Sequence, residues 1–348
     1  MSAKNQKERI LTGMRPTGPL HLGHYVGALE NWVKLQEKYD CYFLIADYQA
    51  LGDHVSEIER IRSSVIDVAL DWLAVGLDPK KTTFVIQSYV PEYAELAMLL
   101  SMIIPLSRIQ QNPTLKAEMA QLDKKDLSLG FFNYPASQVA DILLPKANLV
   151  PVGEDQLPHI EFTRDVATKF NRLYGDVFPI PKALLGRIPR LVGTDGQAKM
   201  SKSLGNCIYL SDSKETVEKK VRKMYTDPTR KRATDPGHIE GNVVFTYLEA
   251  FHTDAEELKR LKFQYQEGKI GDVQTKQILA DLLNGFLEPI RERRKYYVAH
   301  PGEVKNALME STLRAKKVAA ETMAEVKSAM NIDNYEDVLI EKCSELNE

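Results

Sequence analysis

Through roughly its first two hundred residues the chain alternates short β-rich runs with helical stretches, and no other feature restricts the fold as tightly. Residues 10–12 lead into a turn rich in Gly and Pro. Residues 41–46 (CYFLIA), 82–87 (TTFVIQ), 149–152 and 188–192 are the further strand candidates. Helical patterns occupy 56–75, the stretch after Pro91, and 158–173; Ser56, with Glu59 three residues on, reads as the N-cap of a capping box. Strands separated by helices must cross over, so the expectation is an α/β fold: a parallel sheet with helices on both faces. Beyond about residue 206 the pattern is helical throughout, at 217–224, 255–267, 273–298, 303–330 and 335–343, with Pro228, Pro236 and Gly237 marking the transition. Residues 97–106 (AMLLSMIIPL) are the most apolar run, read as a core helix ending before Pro105 or as a subunit interface.

Composition removes several classes of function. A formal net charge of −2 gives no global field drawing the chain to nucleic acid, so any RNA contact must come from local clusters: 219–223 (KKVRK), 230–232 (RKR), 291–295 (RERRK) and 314–317 (RAKK). Cys41, Cys207 and Cys343 lie far apart with no CxxC pair, which suits a reducing compartment and argues against a structural metal site. The N-terminus lacks the apolar core of a signal peptide, and no run reaches the roughly 18–20 apolar residues of a membrane span, so a cytoplasmic protein with no membrane partner is expected.

Two familiar phosphate-binding motifs are missing. No two glycines lie two apart, which excludes GxGxxG; Gly18 and Gly23 have P-loop spacing, but His24 and Tyr25 follow where Lys and Ser or Thr are required. In their place stands TGMRPTGPLHLGHY, residues 12–25. Pro16, Gly18 and Pro19 make a rigid turn, and a helix begins near His21. His21 and His24 share a helical face, and Gly23 between them lets a flat ring or a phosphate approach the backbone. Imidazole N–H groups beside a helix N-terminus form an anion site. A second cluster, Lys199-Met200-Ser201-Lys202-Ser203, follows the glycine-containing turn 193–196; two lysines three apart with small hydroxyl residues can grip a polyphosphate.

HLGH at 21–24 and KMSKS at 199–203, in this order, resemble the paired signatures of class I aminoacyl-tRNA synthetases. YPASQVADILL (134–144) and VPVGEDQLPHIEFTRD (150–165) resemble the bacterial tryptophanyl branch, and the likeness extends through 41–51 and 74–100 before fading in the C-terminal third. The resemblance implies a Rossmann-like parallel-sheet catalytic domain over 1–205, with an inserted helical segment at about 90–145, and an all-helical anticodon-binding domain over 206–348. It implies tryptophan–tRNA ligation, with L-tryptophan, ATP and tRNA(Trp) as partners, Mg²⁺ carried on ATP with no resident metal, and a homodimer. His21, His24, Lys199 and Lys202 would be catalytic. Arg15, Pro16, Thr17, Gly23, His24, Gly153, Glu154, Asp155, Ile188 and the whole KMSKS run, Met200, Ser201 and Ser203 included, would bind ATP. Asp141 would accept the indole N–H, and Tyr134, Gln138 and Gln156 would line the amino-acid pocket. Three departures stand out: Arg15 where Gln is common, HLGH in place of a TIGN-like form, and Gln49 where His is frequent.

These residue types suit the implied chemistry. An α-carboxyl group, with a pKa of about 3.5, is already ionised and attacks the α-phosphorus without a general base. What remains is positioning and neutralisation of charge on the phosphates. A buried acceptor such as Asp141 can reject an analogue lacking the donor by roughly 10⁴–10⁵, so phenylalanine is excluded without editing. The rival readings are tyrosine–tRNA ligase, another HxGH adenylyltransferase, and a silent paralogue that senses tryptophan or binds RNA. The helical tail argues against the second and the intact His and Lys set against the third.

Overall fold

The structure is a computed structural model and describes residues 7–121, 128–153, 156–185, 191–197 and 199–345. Strand β1 (Arg9–Met14) leads through α1 (Leu22–His24), a π-helical turn (Tyr25–Leu29) and α2 (Glu30–Leu35) to β2 (Asp40–Ile45). Helices α3 (Asp47–His54) and α4 (Ile58–Val75) then connect to β3 (Thr82–Ile86). Four helices follow, α5 (Glu92–Ser101), α6 (Leu106–Gln110), α7 (Pro113–Gln121) and α8 (Leu129–Leu143), before β4 (Leu149–Val152), α9 (Leu157–Tyr174) and β5 (Lys182–Leu185). The remainder is helical: α10 (Lys214–Arg222), α11 (Val243–Phe251), α12 (Ala255–Gln266), α13 (Asp272–Ala299), α14 (Pro301–Ala329) and α15 (Glu336–Glu345).

The sheet is parallel throughout, in the order β3-β2-β1-β4-β5. The chain builds outward from β1 in one direction, then returns to build outward in the other. The β1–β4 seam is therefore a topological switch point, where helices diverge and leave a crevice at the carboxyl ends of the strands.

Alternation of side chains divides the core in two. Ile10, Cys41, Phe43, Ile45, Phe84 and Ile86 face one cluster, shared with α2, α4, α11 and α13. Leu11, Tyr42, Leu44 and Val85 face the other, shared with α5, α8, α9 and α14. The boundary expected at 205/206 thus falls inside continuous packing: Cys207, Tyr247, Leu283 and Val304 share a cluster with Ile10, while Ala315, Ala319 and Met323 of α14 share one with Leu11.

Local chemistry accounts for the differences from expectation. The Ser56 capping box does not form; α4 starts two residues later, at Ile58, with Glu57 at the N-cap and no side-chain cap bond. Residues 186–190, most of the expected strand at 188–192, lie outside the described residues, and Val192 makes a single bridge to Lys199. The fifth strand is instead Lys182–Leu185, four half-exposed residues without a strand-like pattern. Helix α11 hides in the β-prone run VVFTY; Asn242 accepts the Val244 N–H as its cap, and burial of Val243, Val244 and Phe245 overrides propensity. The apolar run 97–106 breaks at Ser101, Pro105 starts α6, and Met98, Met102 and Leu106 remain exposed.

The four basic clusters are not uniformly solvated. Arg291 bonds to Asn284 and Glu288, Arg293 to the Ala74 carbonyl and Arg294 to Asp67 and Asp71. Arg314 reaches the carbonyls of Pro79 and Thr82, and Arg230 is buried over the Tyr265 ring. Arg230, Arg291, Arg293, Arg294 and Arg314 lock this chain together, while Lys219, Arg222, Lys223, Lys231, Arg232, Lys295, Lys316 and Lys317 are exposed.

Strand β3 is an edge, and α14 covers it. Thr312, 2% exposed, accepts the Ile86 N–H at 3.2 Å and donates to the Phe84 carbonyl at 3.3 Å. Because Thr312→Val leaves a buried edge N–H without an acceptor, it should lower the free energy of unfolding by about 1–3 kcal/mol. Urea titration should register this as a lower midpoint at unchanged slope.

Candidate active site

Two cavities open side by side at the carboxyl edge of the sheet. The first, of about 390 Å³, is lined by Gly13 near the end of β1, Arg15 just after it, Gln49 of α3, and Tyr134, Gln138 and Asp141 of α8. The second, of about 730 Å³, is lined by Thr17, His21, Gly23, His24, His54, Arg60 and the run Lys199–Ser203. Gly13, Gly153 and Gln156 line both, so the cavities meet where β1 and β4 end. A β-carbon at Gly13 would strike the Leu44 carbonyl of the neighbouring strand, which restricts this junction to glycine.

The two sequence motifs converge in the second cavity. Leu22 N–H donates to the Ile208 carbonyl and Leu210 N–H to the Leu20 carbonyl, so the strand-like segment after KMSKS holds the HLGH segment along its backbone. The Gly23 N–H donates to the Met200 thioether at 3.4 Å, and Lys202 Nζ donates to the Gly18 carbonyl at 2.7 Å. At Gly23 the flat ring against the backbone is the imidazole of His21 itself: a β-carbon would sit 3.0 Å from it. Asn206 braces the lysine loop, accepting the Ser201 N–H at 2.8 Å and donating to Asp195; a β-carbon on Gly193 would displace its amide.

Burial decides the charge state here. His21 is pushed down to about 3 by burial and by the nearby Lys202 and Lys199. His24 is also held well below the usual imidazole value, by burial, His21 and the same lysines. Both rings are therefore neutral at pH 7, their centroids 3.7 Å apart and their planes tilted by 39°. The backbone N–H of His21 donates to Nδ1 of His24 at 3.2 Å, so the proton of His24 sits on Nε2. Burial lowers Lys202 to about 8, which leaves it a cation at neutral pH; Lys199 is exposed. The cavity combines neutral N–H donors with two lysines, a set suited to a polyanion.

The first cavity is organised around one carboxylate. Asp141 is 2% exposed; Gln87 donates to its Oδ1 at 2.6 Å and Gln49 to its Oδ2. The Tyr48 N–H donates to Gln87 Oε1, which fixes that amide with its NH₂ toward Asp141. Burial nonetheless raises Asp141 to about 7, against the two amide bonds. Gln49 thus serves as a donor to Asp141.

The other expected site residues distribute as follows. Arg15 lines the first cavity, away from the lysine loop, and Pro16 is buried in the turn and lines neither. Glu154, Asp155 and Ile188 lie outside the described residues. Gln87, Arg60, His54 and Asn206 were missed. For Gln87 a signal existed: a polar residue directly after an apolar run in a parallel strand sits on the ligand-binding edge. Arg60, whose guanidinium donates to the Thr17 carbonyl at 3.1 Å, carries no local signal. Among the described residues no group of three His, Cys, Asp or Glu side chains could hold a metal, and no helix is long and apolar enough to cross a membrane.

Comparison with known proteins agrees with this geometry. Residues 3–288 match the family described as tRNA synthetases class I (W and Y). A tryptophan–tRNA ligase of Clostridium longisporum is 49% identical over 338 residues, covering 95% of this chain and 99% of its own. The tryptophanyl-tRNA synthetase of Campylobacter jejuni, solved with ADP and tryptophan, is 34% identical with a TM-score of 0.83, covering 93% of this chain and 99% of that one. A tyrosyl-tRNA synthetase of Archaeoglobus fulgidus, solved with L-tyrosine, is 26% identical with a TM-score of 0.63, covering 84% and 91%. By motif, fold and sequence alike, the chain belongs to the class I tRNA synthetases of the tryptophan and tyrosine family.

Proposed function

We propose that the chain is a tryptophan–tRNA ligase: it activates L-tryptophan with ATP to the adenylate, releasing pyrophosphate, and transfers the amino acid to tRNA(Trp). The observation that carries this reading is the junction of an acceptor-centred cavity with a donor-lined one at Gly13, Gly153 and Gln156. An amino acid in the first cavity and a nucleotide in the second bring a carboxylate and an α-phosphorus together there.

Each group then has a task. The indole N–H donates to Asp141, alongside Gln49 and Gln87, while Tyr134, Gln138 and Gln156 line the ring and amino group. The carboxylate attacks without a base. His24, through Nε2–H, and Lys202 bind the phosphates, and Lys199 and Lys202 stabilise charge on the departing pyrophosphate. Neutral imidazoles can donate here without the desolvation cost of a buried cation. Thr17, Gly23, Ser201 and Ser203 complete the nucleotide pocket, and Mg²⁺ enters on the phosphates, adding charge neutralisation. The exposed lysines of the helical C-terminal region are the candidate contacts for tRNA phosphates. Exposed Met98, Met102 and Leu106 fit a homodimer interface, and the cytoplasm is the proposed location.

Pyrophosphate exchange with tryptophan, tyrosine and phenylalanine tests the reading: exchange with tryptophan alone is expected, and exchange with tyrosine alone would overturn it. Asp141→Asn should weaken tryptophan binding by about tenfold or more, because its NH₂ opposes the indole N–H, with the KM for ATP nearly unchanged. Lys202→Ala should cut the rate of adenylate formation by about 10²–10³, measured by single turnover, with tryptophan affinity intact.

Two pKa values set the pH dependence. Indole donation favours ionised Asp141, so tryptophan affinity is full above about 7 and falls as the carboxyl is protonated below it. Lys202 loses its proton above about 8, removing a phosphate partner. A bell-shaped kcat/KM with limbs near those values is expected, and the acid limb should vanish in Asp141→Asn.

A further inference from the structure

The HLGH segment is held on its second side by a group that neither motif contains. Leu20, 1% exposed, directly precedes His21, and its N–H donates to Oδ2 of Asp71 at 2.8 Å. Asp71 sits on α4 and is fully buried. Its other oxygen, Oδ1, accepts Nε of Arg294 at 2.9 Å, and Arg294 Nη2 bonds to Asp67, one turn earlier on α4, at 2.7 Å. Arg294 belongs to α13, so a helix of the C-terminal region reaches the backbone of the nucleotide cavity through one carboxylate. The neighbouring Arg293 strengthens the same contact by capping the Ala74 carbonyl at the end of α4 at 2.5 Å.

A buried carboxylate is costly unless both oxygens find donors. Here one donor is a guanidinium from α13 and the other is the amide that fixes where the helix bearing His21 and His24 begins. Neither partner can leave without stranding the other. Asp71 and Asp67 also favour the charged form of Lys202, opposing the burial that lowers it.

We infer that Asp71, clamped by Arg294, is a positioning residue for nucleotide activation, through which α13 holds the His21–His24 segment in register with the lysine loop. The inference rests on the proposed tryptophan activation. An error of about 1 Å in placing the imidazoles is enough to slow the chemical step by up to about 10²-fold. The tryptophan cavity lies beyond the β1 end, built on α3 and α8, and does not use this clamp.

The test uses the full chain with Asp71→Asn and Arg294→Gln. Both should lower kcat for tryptophan-dependent pyrophosphate exchange by about tenfold or more while the tryptophan Kd, measured by calorimetry without ATP, stays within about twofold. A purely structural role would instead lower the folded fraction, and with it tryptophan-binding stoichiometry and kcat together. Folded variants with kcat within about twofold of the unaltered chain would overturn the inference. If neither variant folds, Asp67→Asn, at a partly exposed carboxylate sharing Arg294, should lower kcat about two- to fivefold, and an unchanged rate there is equally fatal. Absence of exchange in the unaltered chain would count against the functional reading instead; amide exchange at Leu20, faster by about tenfold in Arg294→Gln if the clamp holds, then tests the clamp without activity.

Discussion

The contact between β1 and its two neighbours governs the rest of this molecule. Gly13 pairs with Leu44 at the carboxyl end of β1, and the absence of a side chain lets that end open toward both cavities at once. On the opposite side Gly153 directly follows β4, so backbone without a side chain stands on each side of the junction. Two ligands can meet only where no side chain stands between them. The reversal of strand order about β1 supplies such a place, and the two glycines keep it clear.

Burial then differentiates two cavities built on one sheet edge. On one side it holds a carboxylate at the boundary of ionisation, bonded by two amides, so the acceptor is kept for a donor that can reach it. On the other it strips the imidazoles of charge and leaves the lysines as the only cations of the His–Lys set. The low dielectric that makes an unpaired Asp141 unfavourable also strengthens each donor aimed at a phosphate. The same desolvation works in opposite senses because the groups differ in which protonation state is neutral.

The fold class, four of the five strands and the meeting of HLGH with KMSKS were legible in the sequence because each has a local signature. Short continuous β-rich apolar runs, buried on both faces, mark β2 and β3, and the spacing of His21, His24, Lys199 and Lys202 marks the chemistry. Asp141 was legible through the family resemblance of its surroundings, while its partner Gln87 was not singled out, although it follows TTFVI directly. What stayed hidden depends on long-range contact. The strand Lys182–Leu185 has no pattern of its own and exists because β4 offers an edge. Helix α11 overrides the β propensity of VVFTY because burial outweighs propensity there. The basic run at 291–295 looks like a solvated face until its arginines are seen turned into α4 and α10 territory, a choice that only tertiary packing makes.

That last feature changes how the C-terminal helices should be regarded. A separate module joined by a linker would keep its own core, yet α13 shares its core with β1 and α14 caps the edge of β3. Rigid packing of this kind transmits displacement poorly by bending and well by discrete repacking. A ligand that shifts α13 must therefore either move α4 with it or break the Arg294 pairs, and each course alters the backbone at Leu20. Because the cost of stranding Asp71 opposes the second course, motion of α13 and α4 as one body is the favoured response. The HLGH segment would then travel with the C-terminal helices, and the Leu22–Ile208 and Leu210–Leu20 bonds would carry the lysine loop in the same direction.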